Sequence, residues 1–120
     1  MSRTGTYLRT PRDGYGHGRL SDATQLVTTN YVVVESFAVI QGRLGFPAVR
    51  AFLEDIVPNL RVEWVDEDTH RAASAALLAA DRRGLSLVDL CSFETMRRLG
   101  IRSVFTFDRH FRQYGFETVP

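Results

Sequence analysis

From Leu26 onward, short apolar runs alternate with amphipathic stretches that end in glycine, whereas residues 1–19 show no such periodicity. The leader MSRTGTYLRTPRDGYGHGR carries glycines at 5, 14, 16 and 18 among scattered arginines, the texture of an irregular segment foreign to a packed domain. The folded part is expected over 20–120. Leu26, Val27 and Thr28 predict a short strand, after which Asn30 offers a side-chain cap to a helix reading YVVVESFAVIQGRL, closed by Gly45. In that helix Val33, Phe37, Ile40 and Leu44 recur at the spacing of one buried face, flanked by Val34, Ala38 and Gln41. Glu35 lies beside this stripe, one to two turns in. Pro47 suits the first turn of a second helix reaching Ile56, and Pro58 with Asn59 stops it.

Arg61 to Val65 alternates like a strand, and Asp66 or Asp68 can cap an alanine-rich helix from Thr69 to Arg82. Ser86 begins another helix, with Val88, Cys91, Met96 and Leu99 apolar and Gly100 at its end. Ser103 to Phe107 reads as a buried strand, Arg109 to Tyr114 as a short helix, and FETV as a last strand. Strands regularly separated by helices predict an α/β sandwich with a largely parallel sheet.

Composition narrows the class without naming an activity. At 120 residues, 44% hydrophobic and 24% charged, the chain is one ordinary globular domain. No apolar run approaches the length of about eighteen residues that a membrane span needs, and no secretory signal opens the chain, so a cytoplasmic location is the default expectation. Cys91 is the single cysteine, which excludes an internal disulfide and a thiolate cluster and reads as a small buried apolar group. A net charge of +1 does not predict nucleic-acid binding by bulk electrostatics. All 15 basic residues are arginine, a bias that genome composition explains as well as phosphate binding does.

In an open parallel sheet, ligands bind outside the carboxyl ends of the strands. That rule gathers Asp108, which follows a strand, Glu35, just beyond another strand's end, and Asp89, in the first turn of a helix. Three ionised carboxylates about 4 Å apart would repel by about 4 kcal/mol per pair at an effective dielectric near 20, so such a cluster requires a cation. Hard oxygen donors favour magnesium or manganese, which activate water and polarise a phosphodiester. Arg97, Arg109 and Arg112 are candidate phosphate contacts. Each acid also has an ordinary explanation: Asp89 completes a capping box with Ser86, Asp108 caps the helix after its strand, and an arginine partner satisfies Glu35. His17 and His70 read as solvated surface, and His110 as structural.

The segments VTTNYVVVESFAVIQGRLG, LSLVDLCSFETMRRLGI and VFTFDRHFRQYGF, in that order, resemble the central and C-terminal motifs of the PIN-domain family, in particular its VapC-type toxins. The resemblance implies a three-layer α/β sandwich and divalent-metal-dependent RNA cleavage. It places Glu35, Asp89 and Asp108 on acidic positions that bind magnesium or manganese. Ser92 and Thr106 fall on polar positions that help order the acids or water. It further implies a homodimer and a cognate antitoxin. Family members begin with a hydrophobic strand in the middle of the sheet that ends in an aspartate ligand. The upstream aspartates here, Asp13 and Asp22, follow no apolar strand. The expectation is therefore a truncated domain lacking its usual first central strand, with a catalytically silent, partner-binding module as the alternative to a working nuclease.

Overall fold

Extended segments with unpaired backbone groups must find partners, and here five of them pair into one sheet of order β3-β2-β1-β4-β5. The computed structural model describes residues 6–9, 25–105 and 117–119. The strands are β1 (Thr6–Arg9), β2 (Gln25–Thr29), β3 (Arg61–Glu63), β4 (Ser103–Phe105) and β5 (Glu117–Val119). β2 pairs with β3, and β4 with β5, in parallel, as the alternating pattern predicts. The central place is taken by β1, from within the leader expected to be irregular. It runs antiparallel to both neighbours, with Tyr7 opposite Val27 and Val104. The facing edges of β2 and β4 would otherwise carry unpaired amides, and the TYLR segment satisfies them.

The helices are α1 (Asn30–Leu44), α2 (Phe46–Ala51), α3 (Glu67–Ala80) and α4 (Leu87–Leu99). α1 begins one residue away from the expected cap. The Thr29 hydroxyl accepts from Val32 N at 3.2 Å, which leaves the Asn30 side chain to accept from Val65 N at 2.7 Å across the β3–α3 junction. The predicted second helix is regular only to Ala51 and continues as a wider π turn over Phe52–Ile56 before a 3-10 turn at Val57–Asn59. Phe37 meets Phe52 edge to face at 5.4 Å. The expected buried face of α1 is only partly covered: Val32 is buried, Val33, Phe37 and Ile40 are half-buried, and Leu44 is 70% exposed. The short α2 and its π turn are too small to close over the whole stripe.

Asp66 caps α3, accepting from Thr69 N at 2.8 Å, and Asp81 ends it in the left-handed region at φ 45°. Gly100 closes α4 at φ 70°, with Ile101 N donating back to Met96 O at 2.8 Å. α3 and α4 lie antiparallel, since Arg98 in the last turn of α4 donates to the Thr69 hydroxyl in the first turn of α3. Between these helices and one sheet face lies the core: Val27, Ala73, Leu85, Leu90, Cys91, Phe93, Met96 and Ile101. Cys91 is fully buried there, as its sequence context implied, and burial pushes its thiol up to about 11, so it stays protonated.

Candidate functional site

Because β1 opposes its neighbours, β2, β3, β4 and β5 all point the same way and their carboxyl ends share one edge of the sheet. At that edge β1 presents its amino end. Neither Thr6–Arg9 nor residues 1–5 contain a carboxylate side chain. Among the described residues, the candidate acids are carried by helices, Glu35 by α1 and Asp89 by α4.

Asp89 is fully buried in the first turn of α4. Its backbone N–H donates to Ser86 Oγ and its Oδ2 accepts from Ser86 N, each at 3.1 Å, so the capping box anticipated from the spacing is formed. A carboxylate offers about four lone-pair sites, so one capping bond does not preclude coordination by the same group. Ser92, one turn along, is also fully buried, and among the described residues its hydroxyl has no hydrogen-bond partner. The Thr28 hydroxyl in β2 shares that state. An unsatisfied buried hydroxyl costs about 1–3 kcal/mol, so each is an expensive group to keep.

Glu35 is half-buried on the second turn of α1. One turn before it on the same face, the Tyr31 hydroxyl lies 2.6 Å from His70 Nδ1, with the rings edge to face at 5.9 Å. Burial, and secondarily the neighbouring Cys91 thiol, holds the Tyr31 phenol above its usual value and keeps it a hydroxyl. His70 is therefore not the solvated surface residue that its polar helix segment implied. The sequence carried no sign of this contact, because the two residues are 39 apart.

Arg97 is exposed in the last turn of α4, about 12 Å along the axis from Asp89 at about 1.5 Å per residue. Thr106, Asp108, Arg109 and Arg112, with His110 and His17, lie outside the described residues. Among the described residues, no three His, Cys, Asp or Glu side chains converge as a metal site. The described residues supply Glu35 and Asp89, on helices that pack against each other. No described helix is long and apolar enough to cross a membrane.

The model of the PIN domain family matches residues 12–117. The 23S rRNA-specific endonuclease VapC20 of Mycobacterium tuberculosis, in strains CDC 1551 and H37Rv, is 35% identical over 95 residues, 78% of this chain and 72% of that protein. The crystal structure of the same organism's VapC20, described as a sarcin-ricin loop cleaving toxin, superposes with a TM-score of 0.68 at 34% identity. That match covers 75% of this chain and 70% of the other.

Proposed function

Because this chain belongs to the PIN-domain family and is of the VapC type, we propose that it is an RNA endonuclease, the toxin of a type II toxin-antitoxin pair. The observation that carries this reading is Asp89, a fully buried carboxylate at the start of α4, followed one turn later by the unsatisfied Ser92 hydroxyl. Burying a carboxylate and an unpaired hydroxyl together is costly for a purely structural helix start and suits a site for a polar ligand.

Glu35, Asp89 and Asp108 would hold magnesium or manganese. The donor set fits, since carboxylate oxygens without thiolates suit a hard cation. When bound, the ion would activate water and polarise the phosphodiester. The chain's own residues have separable tasks. The capping box fixes the direction of the Asp89 carboxylate. Ser92, and Thr106 after β4, orient an acid or a water by hydrogen bonding. Arg109 and Arg112 follow Asp108 closely in sequence and would hold phosphates near it. Arg97, a helix length from Asp89, would meet a phosphate farther along the strand. A single-stranded or looped RNA is the substrate class, and the ribosomal loop cut by the similar VapC20 is the first candidate. A cognate antitoxin, a homodimeric state and a cytoplasmic location complete the proposal.

The test is incubation of purified protein with a 23S ribosomal RNA fragment bearing the sarcin-ricin loop. Site-specific cleavage in magnesium or manganese, abolished by EDTA, is expected. Cleavage that persists in EDTA would remove the metal from the account.

A further inference from the structure

Asp89 is fixed locally by its capping box, whereas the placement of Glu35 depends on how α1 is held. Within α1 only Val32 is buried, and the helix grows exposed toward Leu44. Its first turn is tied to the body at three points: Thr29 caps it, Asn30 Oδ1 accepts from Val65 N, and the Tyr31 hydroxyl meets His70 Nδ1. Two of these ties land on residues 65–70. The same segment receives α4, through Arg98 on Thr69 and Arg98 Nη1 at 3.7 Å from Asp66. One short junction therefore touches both α1 and α4, the helices that carry the candidate acids Glu35 and Asp89.

We infer that Tyr31 and His70 are positioning residues for Glu35, the β3–α3 junction acting as a bracket that sets the tilt of α1. The inference rests on the nuclease reading of Glu35. Tyr31 and Glu35 stand i, i+4, about 6 Å apart along the axis. A tilt of about ten degrees pivoting at the first turn moves Glu35 by about 1 Å, and a misplacement of that size costs about a hundredfold in rate. Beyond the first turn α1 is held less fully, since Phe37 and Ile40 are only half-buried and Leu44 is 70% exposed. His70 is itself held: its N–H donates to Asp66 O at 2.9 Å and its carbonyl accepts from the Ser74 hydroxyl at 2.8 Å.

The test compares Tyr31→Phe, His70→Leu and His70→Asn with Glu35→Gln in the full chain, by cleavage kinetics and by Mn2+ binding without RNA, read from the EPR signal of free Mn2+. Tyr31→Phe and His70→Leu are expected to lower kcat by about ten- to a hundredfold with KM nearly unchanged, and to weaken Mn2+ binding severalfold. His70→Asn, whose Oδ1 can stand where Nδ1 accepts, restores most of both. If Tyr31→Phe and His70→Leu match the parent in kcat and Mn2+ affinity while Glu35→Gln is inactive, the bracket is overturned and the nuclease reading survives. Loss of activity only in proportion to the unfolded fraction, measured by thermal melting, overturns it equally. Full activity in Glu35→Gln removes both the bracket and the role of Glu35.

Discussion

Ser86 and Asp89 cap one another: each backbone N–H donates to the other's side-chain oxygen at 3.1 Å. One aspartate thereby serves both as the start of α4 and as a fully buried carboxylate of the proposed site. The two tasks separate by mutation. Asp89→Asn keeps an oxygen for the Ser86 amide and is expected to hold stability within about 1 kcal/mol while cleavage falls about a hundredfold or more. Ser86→Ala does the reverse, costing about 1 kcal/mol in urea denaturation with cleavage largely retained.

Phe93 and Met96 are fully buried in the core that α4 forms with α3 and the sheet. Phe93→Ala removes a ring from that packing and is expected to cost about 3–5 kcal/mol by urea denaturation. Against a domain stability of about 5–15 kcal/mol, much of the variant would lose its fold near physiological temperature. A loss under about 1 kcal/mol would mean that the site collapses around the cavity, contrary to the close packing described.

Gly42 lies inside α1 and a Cβ added there meets nothing within 4 Å. Gly42→Ala should therefore stabilise the isolated protein by about 0.5–1 kcal/mol through the unfolded chain's lost freedom. Thermal melting checks this, and a lowered midpoint would show that the position is not open.

The elements from β2 to β4 were legible because their signals are local. Ser86 with Asp89, Asp66 before Thr69, and glycine at 45 and 100 mark ends that the fold uses. The misreadings concern tertiary choices. Thr29 and Asn30 are both competent caps, and the nearby Val65 amide claims Asn30. The apolar stripe of α1 has the period of a buried face, but its burial depends on what the small α2 can cover. Tyr31 and His70 meet across 39 residues, a distance that no local pattern encodes. The segment Thr6–Arg9 forms a strand because the sheet offers two open edges, a demand invisible in the leader itself. Of the candidate site, Glu35, Asp89 and Ser92 were named from position and motif, and the burial of Asp89 and Ser92 is what the structure adds. The unsatisfied Thr28 hydroxyl gave no sequence signal.

Asp66 predicts a pH dependence. Hydrogen bonds from Thr69, backbone first and side chain second, and the Arg98 guanidinium hold its carboxyl below the usual value. A lowered folded pKa contributes stability that is present above the unfolded value of about 3.9 and is lost as pH falls through the folded one. The melting point of the parent should thus exceed that of Asp66→Ala near neutral pH, and the gap should narrow below about pH 4. A gap that stays constant into acid would show that the charge on Asp66 contributes nothing.

The central claim is that acids at the carboxyl edge of this sheet serve metal-dependent RNA cleavage. Its most direct test is cleavage of the ribosomal loop RNA by the parent and by folded Glu35→Gln, Asp89→Asn and Asp108→Asn variants, with magnesium or manganese and with EDTA. The account predicts cleavage by the parent alone, in either metal, and none in EDTA. Undiminished cleavage by Asp89→Asn, or a folded parent that binds a partner and cuts no RNA in either metal, would contradict it.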